Sequence, residues 1–279
     1  MDQTMPPQVV NLLEVISTID KSKADIQRSI KNITDRKRAG VEKIIQMVAE
    51  QDIYNPETIG ALEKEYANLK YLVDVEKKYG QMLKFRIQKT LNAFNTYNDL
   101  LKNTPETNDN VKNILAQLQK LIKKCIELLV LVNDTIDNST TRMDQEKEFL
   151  NAVSKKPENI EEYFQFIKLT LNDAEKFNGR VGTIEKQLET MTENVKRELK
   201  KLSPEAEIRM MIYGISIAML GLIVSTVIGF NLATPISILV IGDFLISKKF
   251  LLGKIDAGIM ALKKKVTDRK KGISFPQKA

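Results

Sequence analysis

Hydrophobic positions in the first two hundred residues recur in steps of three and four, the spacing that lines up side chains on one face of a helix. Proline and turn residues divide this pattern into four stretches of similar length. The first follows Pro6-Pro7 and carries Val9, Leu12, Ile16, Ile19, Ile26, Ile30, Ile33, Ile44 and Met47, with Lys23, Lys37 and Gly40 interrupting the stripe. The second opens at Asn55-Pro56, an N-cap followed by proline at the first helical position. It continues through Leu62, Tyr66, Leu69, Val73, Leu83, Ile87 and Phe94 to the Asn103-Thr104-Pro105 break. The third presents Val111, Leu115, Leu118, Ile122, Cys125, Leu129, Val132, Ile136, Met143 and Leu150. It is apolar nearly all round at its centre, which predicts a helix buried on several sides. The fourth starts at Pro157 and keeps Ile160, Phe164, Ile167, Leu171, Phe177, Val181, Ile184, Leu188 and Val195 in register.

These stretches predict helices at about 8-51, 56-102, 106-153 and 157-202, each about 65 Å long at 1.5 Å per residue. Matched lengths and short connections make sequential helices antiparallel neighbours. The expected fold is all-α: an elongated antiparallel bundle of four long helices over 1-203, with no period-two alternation to suggest a sheet.

The pattern then changes character. Met210 to Gly242 is a run of 33 residues without a charge, long enough to cross a bilayer once and broken by Gly229, Asn231 and Pro235. Ser203-Pro204-Glu205 reads as a fresh helix start leading into it. Residues 210–229 make about 30 Å of helix, a full hydrocarbon core, while 233–247 make about 22 Å. Lys196, Arg197, Lys200, Lys201 and Arg209 precede the run, Lys248, Lys249 and Lys254 follow it, and the intervening turn is uncharged. Basic flanks with an uncharged tip predict a hydrophobic helical hairpin over 204-247 with both ends on one side of the membrane. Its expected membrane-inserting residues are Met210, Ile212, Ile215, Leu220, Leu222, Ile223, Val227, Ile228, Phe230, Leu232, Ile236, Ile238, Leu239 and Ile241. Gly214, Ala218, Gly221, Ser225 and Gly229 form a ridge of small side chains suited to close packing against the returning arm or another subunit.

Charge sharpens this picture. The net charge is +7, but Lys248 to Ala279 alone carries ten Lys/Arg against Asp256 and Asp268, so the basicity is local to 248-279. Leu251, Leu252, Ile255, Ile259, Leu262 and Val266 lie at helical spacing beneath those lysines, predicting a basic amphipathic C-terminal helix. Lys248, Lys249, Lys254, Lys263, Lys264, Lys265, Arg269, Lys270 and Lys271 are its expected contacts with anionic lipid. A lipid bilayer is the expected partner, together with like subunits or a partner helical subunit. Nucleic acid and small-molecule substrates are not expected.

Catalytic chemistry finds no foothold. The chain has no histidine and one cysteine, which removes histidine-dependent triads, most catalytic zinc sites and any intramolecular disulfide. No Walker loop, dinucleotide glycine fingerprint, HExxH or CxxC occurs. No catalytic residue, cofactor or metal ligand is predicted, and the chain does not read as an enzyme. Asp and Glu fall opposite the stripes as solvated faces, and Lys23 and Lys37 read as register devices or snorkelling stems. The N-terminus lacks a basic segment followed by an apolar one, so synthesis in the cytoplasm without a secretory signal peptide is expected.

Four stripes between Val9 and Leu199 followed by a hairpin at Met210–Ser247 resemble the cytolysin A-like α-helical pore-forming toxins, including the Bacillus haemolysin B-type components. The resemblance implies a hairpin shielded in a soluble form that later inserts and lines or anchors an oligomeric pore. The residues alone equally accommodate a resident membrane-anchored coiled-coil scaffold, tether or membrane-shaping protein, facing the cytoplasm.

Overall fold

Local end signals set the helices. The computed structural model describes residues 5–212 and 241–270, with the backbone alone for 20, 22–24, 26–27, 178, 241–250 and 269–270. Helix α1 spans Pro7–Glu50, α2 Pro56–Asn103, α3 Asp109–Lys155, α4 Ile160–Leu199, α5 Pro204–Ile212 and α6 Ile241–Lys270. Among the described residues there is no strand. At the start of α2 the Asn55 side chain accepts the Glu57 N–H at 2.9 Å. The start of α3 lies three residues later than the Pro105 signal suggests, because Asn108 supplies the cap, accepting from Asn110 at 3.0 Å and Val111 at 3.2 Å. Before α4, Pro157–Asn159 forms a single 3₁₀ turn, and α4 itself ends at Leu199.

The long helices contribute segments to two compact helical units. One contains the described residues of 5–28, 81–136 and 178–212, and the other those of 29–80, 137–177 and 241–270. The first is built on the predicted stripes: Leu12, Ile16, Leu83, Ile87, Phe94, Leu118, Ile122, Val132, Val181 and Leu188 are all buried.

In the second unit, side-chain pairs fix the register. Lys70–Asn151 at 3.1 Å, Asp74–Lys147 at 2.7 Å and Lys77–Asp144 at 2.7 Å step in opposite directions along α2 and α3, so these segments are antiparallel. Arg142–Asp173 and the Phe149–Phe166 ring pair, 5.1 Å between centroids, do the same for α3 and α4. Such exposed ion pairs contribute about 0–1 kcal/mol each. They report alignment more than stability. The stability comes from a core of Ile44, Val48, Leu62, Leu69, Leu72, Leu150, Tyr163, Phe164 and their neighbours.

Helix α6 belongs to this core. Leu251, Ile255, Ile259 and Leu262 are buried in it, with Leu252 and Val266 packed at its edge. Lys168–Asp256 at 2.6 Å and Lys263–Glu161 at 2.8 Å run α6 antiparallel to α4, and Lys254–Glu42 at 3.4 Å aligns it beside α1. Two glycines permit close approach here. A Cβ on Gly40 would lie 3.0 Å from Leu69 Cδ2, and one on Gly258 would lie 3.2 Å from Ile45 Cγ2 and 3.3 Å from Phe164 Cε2. Glycine within a helix costs about 1 kcal/mol relative to alanine; at these positions it lets neighbouring helices touch.

This arrangement changes the expected role of the tail. Its apolar stripe does not face outward as a surface for lipid; it packs against the bundle. The boundary expected between 247 and 248 also falls inside one continuous helix.

Candidate membrane-active element and its supports

The uncharged run is entered through α5. Pro204 occupies the first helical position, and Ser203 caps it, its carbonyl accepting the Glu207 N–H at 2.9 Å and its hydroxyl accepting the Ala206 N–H at 3.4 Å. Ala206 and Met210 are buried, while Ile208 and Met211 are exposed. Arg209 donates to Glu106 at 3.1 Å, tying α5 to the α2–α3 connection. Glu106 also accepts the backbone N–H groups of Thr107 and Asn108. The Asn108 N–H, then the Thr107 N–H and Arg209, holds its carboxyl below the usual range against a smaller opposing effect of burial.

Of the expected inserting residues, Met210 is buried, Ile212 is half-buried and Ile241 begins α6. Ile215, Leu220, Leu222, Ile223, Val227, Ile228, Phe230, Leu232, Ile236, Ile238 and Leu239 lie outside the described residues, as does the whole small ridge Gly214, Ala218, Gly221, Ser225 and Gly229. Among the described residues, no helix is long and apolar enough to cross a membrane.

Three lysines of α6, Lys254, Lys263 and Lys265, are put to structural use. Lys265 is buried and donates to the carbonyls of Val48 at 2.6 Å, Ala49 at 3.3 Å and Gln51. These are orphan acceptors at the C-terminus of α1, where a cation also opposes the negative end of the helix dipole. Burial lowers the Lys265 ammonium pKa, with Asp52 opposing. Lys254 and Lys263 are engaged by Glu42 and Glu161, leaving Lys264 exposed on the outer face. Lys265 is thus a helix cap rather than a lipid contact. The side chains of Lys248, Lys249, Arg269 and Lys270, and all of Lys271, lie outside the described part.

One cluster escaped the sequence reading. Lys37 on α1 donates to Glu76 Oε2 on α2 at 2.8 Å and to Glu146 Oε2 on α3 at 2.7 Å. Tyr163 on α4 donates its hydroxyl to Glu146 Oε1 at 3.2 Å. All of this lies in the second unit's interior, so Glu76 and Glu146 are not the solvated-face residues expected. Burial pulls the Lys37 ammonium down, but the two carboxylates outweigh it and hold its pKa above the ordinary lysine value. Burial pushes the Glu76 carboxyl up to about 7, with Glu146 adding to the effect and Lys37 opposing it. Tyr163 is raised by burial first and then by Glu146. The available signal was register: Lys37, Glu76 and Glu146 each stand three or four residues from a buried apolar position, at Ile33, Val73 and Leu150.

Cys125 is a buried free thiol, its pKa raised by desolvation, and packs as a small hydrophobe. Among the described residues, no group of three or more His, Cys, Asp or Glu is placed to hold a metal ion. A cleft of about 490 Å³ beside Phe149, Phe166 and Leu169 is rimmed by Glu158, Glu161 and Glu162. Two of these are already engaged, Glu158 by the Tyr54 hydroxyl at 2.9 Å and Glu161 by Lys263. Comparison of this chain with family models, with curated proteins and with solved structures gives no match.

Proposed function

We propose that this chain is a membrane-inserting helical protein acting as a pore-forming or membrane-permeabilising component. In this reading an antiparallel bundle of four long helices carries a hydrophobic hairpin over 204-247 and a basic C-terminal helix. The observation that carries it is the 33-residue uncharged run from Met210 to Gly242. Removing such a segment from water is favoured by about 25 cal/mol per Å² of apolar surface, and a charge-free turn lowers the cost of translocating the tip.

The supports of the run favour a hairpin over a single span. On one side, α5 is held by Arg209 on Glu106. On the other, α6 is held by four buried apolar side chains and by Lys265 on the end of α1. Each end of the run is therefore fastened to a helical unit of its own, and the basic flanks at both ends suit an excursion that returns to the side it left. Lys264 can attract anionic headgroups while the apolar face of α6 stays docked. The small ridge supplies contacts for assembly with further copies or a partner helical subunit.

Two measurements together separate this reading from a resident anchor. A soluble species that releases dye from anionic vesicles is the expected result. Alkali-resistant pelleting with membranes immediately after synthesis would instead favour the anchored scaffold. A chain that stays soluble and leaves vesicles intact across pH and lipid composition would end both.

A further inference from the structure

The Lys37 cluster contains one cation and two carboxylates, and the two acids are not equivalent. Glu146 has both oxygens satisfied, one by Lys37 and one by Tyr163. Glu76 uses Oε2 on Lys37, while its Oε1 is buried and meets no hydrogen-bond partner among the described residues. A fully ionised cluster would leave one surplus negative charge in the buried interior, and such a charge is removed most cheaply by retaining a proton. The geometry says which acid keeps it: Glu76 has the fewer donors to stabilise an anion.

We infer that Lys37, Glu76 and Glu146 form a one-proton lock, in which a proton held by Glu76 neutralises the core and its loss on alkalinisation loosens the packing of α1, α2, α3 and α4 within the second unit. This inference is independent of the membrane reading. The groups facing the lock are Lys37 from α1, Tyr66 from α2, Glu146 from α3 and Tyr163 from α4. Lys43 on α1 is taken by Glu65, and the α6 cations Lys254 and Lys265 by Glu42 and the α1 carbonyls, so other nearby cations have partners of their own.

The direction of the pH effect follows from proton counting. The unfolded Glu76 loses its proton near the ordinary carboxylate value of 4.5, whereas the folded one keeps it up to about 7. Between those values the native state holds more protons than the unfolded state, so stability is greatest on the acidic side and falls as pH rises through the window. The chain has no histidine, so apart from its amino terminus no group with an ordinary pKa titrates in the upper half of this window.

Urea unfolding of the full chain followed by circular dichroism across the window tests the lock. The unfolding constant is expected to rise by up to about tenfold per pH unit and to level off near pH 7. Glu76→Gln is expected to flatten that dependence, and a slope that survives the substitution would overturn the proposal. Proton release on unfolding the native sequence at about pH 6, followed with an indicator dye, gives a readout that does not depend on the variant folding. Close to one proton is expected to appear. No release would overturn the proposal.

Discussion

Replacing Lys37 with methionine is expected to destabilise the protein by about 3–5 kcal/mol, because it strands two carboxylates in the interior. Glu76 and Glu146 both direct an oxygen at the Lys37 ammonium, at 2.8 and 2.7 Å, and Tyr163 alone cannot replace that charge. Glu76, whose carboxyl burial already pushes up, would lose the cation that opposes that effect, so the loss should be smallest in acid and should deepen as pH rises. Urea unfolding at neutral and mildly acidic pH measures both features. A combined Lys37→Met, Glu76→Leu, Glu146→Leu variant should recover most of the loss, since a buried ion network exchanged for apolar side chains of similar volume is often neutral or stabilising. If Lys37→Met alone unfolded at the native urea midpoint, the cluster would not be the buried network described.

Gly258→Leu is the second large effect. Even a Cβ at this position sits 3.2 Å from Ile45 and 3.3 Å from Phe164, so the three further carbons of leucine require the α1 and α4 side chains to give way. Overpacking of this kind costs about 1–3 kcal/mol, and the strain is relieved most easily by lifting α6 away. Leu251, Ile255, Ile259 and Leu262 would then return to water, and Lys265 would leave the end of α1. Hydrogen exchange should rise along 251–268 and at the last turn of α1, while α2 and α3 in the first unit keep their protection. Gly258→Ala should show a milder form of the same change. Unaltered exchange in the leucine variant would contradict close packing of α6 on the bundle.

These residues also show what the sequence makes legible. The starts of α1, α2 and α5 follow from Pro7, Asn55-Pro56 and Ser203-Pro204, because caps and proline act on the residues beside them. Apolar spacing alone identifies stripes such as Leu83, Ile87 and Phe94, which are buried. Pairing between helices is another matter. Lys37 meets partners 39 and 109 positions away, and which acids it meets depends on a helix register that no local signal carries. The tail shows the same limit. An apolar stripe under lysines fits lipid and fits a neighbouring helix equally well, and the burial of Leu251, Ile255, Ile259 and Leu262 together with the fit of Gly258 between Ile45 and Phe164 distinguishes the two. Lys265 reads as one more basic residue until the carbonyls of Val48 and Ala49 appear around it.

The central claim is that the uncharged run enters a bilayer, and a probe within the run tests it most directly. Cys125 is buried with its thiol pKa raised, so at neutral pH a polarity-sensitive fluorophore should label an introduced Val227→Cys selectively. A second labelled chain, Tyr71→Cys, reports an exposed position on α2. On addition of anionic vesicles, emission from position 227 should shift to the blue and become accessible to a quencher attached to lipid tails, while position 71 keeps its spectrum. If position 227 remained in a water-like environment and out of reach of the lipid quencher, the run would not be a membrane element, and the proposed function would be wrong.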